Sequence, residues 1–443
     1  MRIYMVAFSE KGRALAEKIQ NISLSVDYGN VLCEGKKVQE KKPLGIYLHI
    51  PFCVRKCNYC DFLSAPAADS VKTRYVEALC REIEAQAPLY HEHEVKTVFF
   101  GGGTPSLLEG GQVALLLERL SACFSFGQEE PEISLEANPG TVDGEKLAVY
   151  RKAGVNRLSF GLQSVREEEL RLLGRIHTWK DFLESYQAAR KAGFTNINVD
   201  LMSALPGQSV DKWMESLKKV VGLEPEHISA YSLIVEEGTP FYDWYHEQDG
   251  AAEADEKNGT AGRMPPFPSE EEDRLMYEKT GEYLCEKGYG RYEISNYARP
   301  GYACRHNLSY WERTDYAGFG LGAASLRENM RWNNTREMET YLQQAGEPGL
   351  RTRIKLDIQC LDEKEAMEEF MFLGLRKTEG ISARRFEMCF HRKIENVYGS
   401  ILQKLEGEGL LLRKKGAEGE IFFRLSPFGI DVSNYVLAQF LFS

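Results

Sequence analysis

The chain has 443 residues, more than one small domain needs, so a main body with attached modules is expected. Its 55 lysines and arginines against 66 aspartates and glutamates leave a formal charge of −11, which argues against a protein built to grip nucleic-acid phosphates. No apolar run reaches the roughly 18 residues of a membrane helix, and the opening MRIYMVAFSEKGRALAEK is charged where a signal peptide is apolar. The expectation is a cytoplasmic protein with no transmembrane segment and no nucleic-acid partner.

Residues 1–42 stand apart as an N-terminal extension without an assigned function: 3–8 reads as a short strand and 11–19 as an amphipathic helix, followed by the polar KKVQEKKP. From Leu44 onward, strand-like runs at 45–50, 96–100, 133–137, 157–161, 196–202 and 227–232 alternate with helical periods. The helices are expected at 71–87, 112–123, 144–153, 167–173 with 181–192, and 211–221. In the first of them Tyr75, Val76, Leu79 and Ile83 recur at helical spacing among charged neighbours. Such alternation requires a parallel sheet with helical crossovers. Six strands fall short of the eight of a closed barrel, so the fold class is α/β, a partial (β/α)6 TIM-like barrel over 43–240. Residues 241–345 form a further region. It contains an insertion at 248–268, rich in Ala, Glu, Gly and Pro, and an aromatic, Asn-rich and Gly-rich stretch at 291–325. In 346–443, three helical patterns precede a hairpin at 409–414 and 420–425, the order of an α+β winged-helix-like domain. In an acidic chain this reads as a packing or partner-docking module rather than a DNA reader.

The ten cysteines are scattered except for Cys53, Cys57 and Cys60, which is not the pattern of a disulfide framework. Random placement would produce that triple spacing in roughly 0.005 chains of this composition. Thiolates are the soft ligands of iron–sulfur clusters, and three on one loop can hold three irons of a cubane with the fourth left open. A structural zinc is the alternative, but it needs four closed ligands. His49 just upstream is the one nearby candidate for a fourth, and it reads better as a strand residue satisfied in the core.

The C-x3-C-x2-C loop resembles the signature of the radical S-adenosylmethionine superfamily, and the YLHIPFC, YCDF and GGGTPS strings resemble the oxygen-independent coproporphyrinogen oxidase family. The oxidases of that family carry a fourth cysteine two positions after the third, where this chain has Phe62. That phenylalanine, together with HNLSYW at 306–311, is similar to the pattern of the HemW heme chaperones. The resemblance runs from about Leu44 to LSPFGIDVSNYV, omitting the extension and the insertion, and makes 346–443 similar to the HemN C-terminal domain.

What the resemblance implies is a [4Fe–4S] cluster on Cys53, Cys57 and Cys60, and S-adenosylmethionine bound by Tyr47, Tyr59, Gly102, Gly103, Thr104, Glu136, Gln163, Arg175 and Asp200. Several of these positions make physical sense independently. The glycines follow the second strand, where bare backbone lets a ligand approach. Glu136, Gln163 and Asp200 fall at or near strand C-terminal ends, the functional face of a barrel. His306, beside Tyr310 and Trp311, is the candidate heme contact, and Cys304 a second one that reads rather as a buried thiol. One departure is visible: after Gly320-Leu321-Gly322-Ala323 the relatives carry a histidine, and here Ala324 and Ser325 follow.

Two functions compete at this point. One is a chaperone that binds heme and hands it to an acceptor such as a respiratory cytochrome, an arrangement compatible with a homodimer. The other is a radical enzyme acting on coproporphyrinogen III or a related tetrapyrrole, against which stand Phe62 and the short N-terminal region. A DNA-binding redox sensor is a distant third.

Overall fold

The computed structural model describes residues 41–251, 264–416 and 419–441; the elements expected in the first 40 residues, and most of the insertion, lie outside them. Strand β1 (Lys42–Ile50) shows why a barrel forms. Leu44, Ile46, Leu48 and Ile50 are buried on one face. Gly45, Tyr47 and His49 alternate onto the other. The same period repeats in β2 (His93–Gly102), β3 (Glu132–Ala137), β4 (Arg157–Gln163), β5 (Ile197–Ser203) and β6 (His227–Ser232). Their aliphatic face meets the crossover helices α1 (Asp69–Gln86), α2 (Gly110–Cys123), α3 (Gly144–Ala153), α4 (Glu167–Leu172), α5 (Trp179–Lys191) and α6 (Val210–Val221). Helix starts are fixed locally: Thr178 and Asp181 form a capping box on α5, and Asp143 and Ser209 cap α3 and α6.

β1 to β6 are parallel neighbours in chain order, the arrangement expected of a partial barrel. The sheet continues at both ends. After α7 (Pro240–Ala251) and α8 (Glu270–Glu286), the short strands β7 (Gly290–Arg291) and β8 (Asn296–Ala298) add antiparallel beyond β6. After α9 (Arg305–Trp311), β9 (Tyr316–Phe319) pairs parallel with the free side of β1. Antiparallel β10 (Ala324–Arg327), β11 (Met330–Asn334) and β12 (Lys355–Cys360) complete a 12-stranded sheet. The region 241–345 thus shares the barrel's sheet, and one apolar core runs from Leu44 to Ile354. A second core, from Met367 to Phe440, belongs to the C-terminal helices and the antiparallel sheet of β13 (Ile381–Ser382), β14 (Leu411–Lys415) and β15 (Ile421–Leu425), the winged-helix-like order.

A buried ion pair ties α1 to the far edge of the sheet. Glu82 Oε1 lies 2.6 Å from Lys355 Nζ, with the two side chains 0% and 1% exposed. Both carboxylate oxygens are filled: Asn334 Nδ2 also donates to Oε1 (2.8 Å), and Tyr341 Oη (2.7 Å) and the Gly320 amide (2.9 Å) donate to Oε2. Ser325, the residue after Ala324, sits buried on β10 and accepts from the Gly318 amide at 2.9 Å.

Candidate functional site

The loop that leaves β1 carries the three thiols and is pinned at several points. The Cys53 amide donates to Ala65 O (3.2 Å), the Asn58 amide to Leu173 O (2.9 Å), Asn58 Nδ2 to Leu172 O (2.9 Å) and Arg55 Nη2 to Gly174 O (2.8 Å). The Phe241 amide at the start of α7 closes on Asn58 O at 3.0 Å. Cys53, Cys57 and Cys60 are free, half-buried thiols. Burial pushes Cys60 up to about 12; the Phe62 amide opposes this, and charge on Cys57 and Cys53 adds to it. Arg175 Nη1 stands 3.6 Å from Cys57 Sγ, and Thr104 Oγ1 stands 3.5 Å from Cys53 Sγ. This donor set fits a cubane: three soft ligands on one loop and a guanidinium beside them to offset thiolate charge. Among the described residues, no three His, Cys, Asp or Glu side chains converge where a single ion would sit. A cubane asks for thiolates spread over three irons. His49 is 8% exposed on β1, its Nε2 on Leu63 O (2.9 Å) and its Nδ1 on Tyr47 Oη (3.1 Å), satisfied within the strand layer.

Around this loop the strand ends bring polar groups together. Asn138, just past β3, links two of them by donating to Thr104 Oγ1 (2.7 Å) and accepting from Arg175 Nη2 (2.7 Å). Arg175 also donates to Gly161 O. Gln163 takes φ of 72° at a register shift between β4 and β5, which turns its amide to accept from Tyr231 Oη at 2.9 Å. Tyr59 lies against the small apolar cluster of Leu173, Met202, Leu205 and Phe241. Tyr47 stacks on Phe99 with ring centroids 6.4 Å apart. The glycines also have a packing role. A Cβ on Gly102 would lie 2.6 Å from the His49 ring, and one on Gly103 would lie 2.6 Å from Phe52 O. The Gly102 amide donates to Glu136 Oε2 at 3.2 Å. Both glycines are therefore required for β2 and its following turn to lie against β1 and the thiol loop.

Two carboxyls share the inner face below the mouth. Burial raises Asp200, which accepts from Asn198 Nδ2 (2.7 Å) and Ser159 Oγ (3.3 Å). Burial, with the Asp200 charge added, pushes Glu136 up to about 8 against the opposing Gly102 amide. In the ligand-free protein the folded state thus keeps the Glu136 proton while the unfolded chain loses it near 4.5, so stability falls as pH rises from about 4.5 to 8. Glu136→Gln removes that loss. It is expected to stabilise the cofactor-free protein by roughly 2–4 kcal/mol at pH 8.5 and by far less at pH 5, read from urea melts at both pH values. Equal gains at the two pH values would contradict the assignment.

His306, the candidate heme contact, lies apart from the thiol loop. The helix α9 enters the lower part of the barrel interior, where Glu132 accepts from the amides of Arg305 and His306, both at 3.0 Å. The His306 ring is 1% exposed and stacks 5.1 Å from Phe99. Its Nδ1 is 2.8 Å from Thr97 Oγ1 and its Nε2 is 3.1 Å from Tyr310 Oη. Both ring nitrogens are engaged. Cys304 is wholly buried, its thiol pushed up to about 12 by that burial, as expected of an inert sulfur. Glu132, Thr97 and Asn138 were not singled out in the sequence. Asn138, two residues beyond Glu136, was within reach of the strand-end argument, whereas Glu132 and Thr97 gain meaning only from α9.

Comparison with known proteins follows the same lines. Residues 47–220 match the Radical SAM superfamily and residues 361–417 the HemN C-terminal domain. The Bacillus subtilis protein named heme chaperone HemW is 36% identical over 371 residues, covering 84% of this chain and 93% of that one. This chain belongs to the HemW family. The HemW of Lactococcus lactis is 32% identical over 401 residues, 90% of this chain and 98% of its own. Among solved structures, Escherichia coli coproporphyrinogen III oxidase (HemN) superposes with a TM-score of 0.72 at 24% identity, covering 91% and 90% of the two chains. This chain and that oxidase share a fold.

Proposed function

We propose that this protein binds heme and passes it to an acceptor protein, with a [4Fe–4S] cluster on Cys53, Cys57 and Cys60 and S-adenosylmethionine at the barrel mouth. The observation that carries this reading is likeness to proteins named heme chaperones along nearly their whole length, with Phe62 in place of the fourth cysteine of the oxidases. When bound, the cluster supplies an electron for reductive cleavage of the sulfonium. The chain's own share is positional. The three thiolates hold three irons; Thr104 and Arg175 face the sulfurs of Cys53 and Cys57. Tyr47, Glu136, Gln163 and Asp200 offer polar contacts from the inner face of the strands, and Tyr59 with Gly102 and Gly103 shapes the rim. The acceptor is a heme protein such as a respiratory cytochrome, met in a cytoplasmic setting.

The test is anaerobic reconstitution of the full chain with iron, sulfide and S-adenosylmethionine, followed by addition of heme or coproporphyrinogen III. Stoichiometric heme uptake without conversion of coproporphyrinogen is expected. Turnover to protoporphyrinogen would replace the chaperone reading with the oxidase one.

A further inference from the structure

Each sulfur of the thiol loop has a donor beside it. Thr104 Oγ1 stands 3.5 Å from Cys53 Sγ, Arg175 Nη1 stands 3.6 Å from Cys57 Sγ, and the Phe62 amide serves Cys60. One side chain, that of Asn138, holds the first two of these donors. We propose that Asn138 is a positioning residue for the metal centre: by fixing Thr104 and Arg175 against Cys53 and Cys57, it raises the reduction potential of the [4Fe–4S] cluster. The inference rests on the cluster reading above.

The orientation of the Asn138 amide follows from its partners. Arg175 Nη2 lies 2.7 Å from Oδ1, and a guanidinium can only donate. The other end, Nδ2, is therefore the one that faces Thr104 Oγ1 at 2.7 Å, and it donates there. Because Thr104 accepts from Asn138, its own hydroxyl proton is left for Cys53 Sγ, which as an iron-bound thiolate only accepts. On the opposite side, Asn138 Oδ1 and Gly161 O both hold Nη2 of Arg175, which leaves Nη1 for Cys57. Both arms of the amide thus continue to a ligand sulfur.

The amide is itself anchored. Asn138 opens the turn that follows β3, where its carbonyl accepts from the Thr141 amide (3.1 Å) and from Thr141 Oγ1 (2.6 Å). Its own amide donates to Ser106 Oγ at 3.3 Å, and the hydroxyls of Ser106 and Thr141 meet at 2.5 Å. The Gly140 amide ties the same turn to Ser185 Oγ on α5 at 3.0 Å. Gly161 supplies the room above β4: a Cβ there would lie 2.9 Å from Asn138 Oδ1 and 3.3 Å from Arg175 Nη2.

An electron added to a cubane adds negative charge that its sulfurs share. Donors and a cation beside those sulfurs favour the reduced form, so the potential rises with them. Without Asn138, Thr104 and Arg175 lose their common partner, and the reduced form loses part of that support. The Phe62 amide at Cys60 is independent of Asn138, so the effect is a shift and not a collapse.

The test compares full-length wild type with Asn138→Leu and Asn138→Ala, two neutral replacements that remove both contacts, after anaerobic reconstitution with iron and sulfide. Both variants are expected to load as the wild type does. In a redox titration followed by the paramagnetic signal of the reduced cluster, the one-electron reduction equilibrium should fall about tenfold, equivalent to about 59 mV. Loaded variants that titrate within about twofold of the wild type would overturn the proposal, since a purely structural residue leaves the potential where it was. Failure of both variants to load beside a loaded wild type would make Asn138 part of the scaffold and overturn it equally. Wild-type protein that forms no cluster would instead sink the cluster reading itself.

Discussion

Replacing Lys355 by methionine is expected to lower the unfolding free energy by about 3–5 kcal/mol. The lysine is the counter-ion of Glu82 in a place with essentially no solvent, where the pair is 2.6 Å apart. Without it a carboxylate with no water to turn to keeps only the neutral donors Asn334, Tyr341 and the Gly320 amide. The charge cannot relax outward, because α1 packs over it. Replacing both partners at once, Glu82→Leu with Lys355→Met, removes the stranded charge and is expected to recover much of the loss. Urea unfolding of the single and double variants checks this. A double variant no more stable than Lys355→Met would show that the pair matters for its shape and not for its charge.

The largest functional effect is expected from Cys57→Ala. Removing this thiol leaves two ligands for a cubane and takes away the sulfur that Arg175 Nη1 faces at 3.6 Å. Iron and sulfide content after anaerobic reconstitution, and the paramagnetic signal of the reduced protein, should both fall to near background. Cys285→Ala, at an exposed thiol away from the loop, is the matched control and should load fully. A full complement of iron in Cys57→Ala would mean that the three-thiol loop is not the cluster site.

Much of the barrel was legible in the sequence because its strands and helices are long and strongly periodic, as in Leu44, Ile46, Leu48 and Ile50 on one face of β1. The strands β9 to β11 were not, and the reason is physical. YAGF, ASLR and MRWNN are only four or five residues long and carry no sustained alternation. They are strands because β1 leaves an open edge on one side, a fact about residues some 270 positions away. His306 shows the same limit for the site. Next to Tyr310 and Trp311 an imidazole reads as a cofactor contact, but its partner Thr97 lies on β2 and its helix is capped by Glu132 on β3. The glycines following β2 were found for their conformational freedom. What fixes them is the nearness of the His49 ring and the Phe52 carbonyl, which only the folded layer reveals.

The pairing of β9 with β1 also says something about when the protein can be finished. Residues 45–48 acquire their second neighbour only from residues 316–319. While the chain is being made, the strand that leads into Cys53 therefore stays unpaired on one side until those late residues have left the ribosome, and sequence-distant pairings of this kind form slowly. Iron and sulfide would meet a half-built socket before that point. Assembly of the metal centre is accordingly expected to follow translation, on a completed polypeptide, and chains halted before residue 316 should emerge without it.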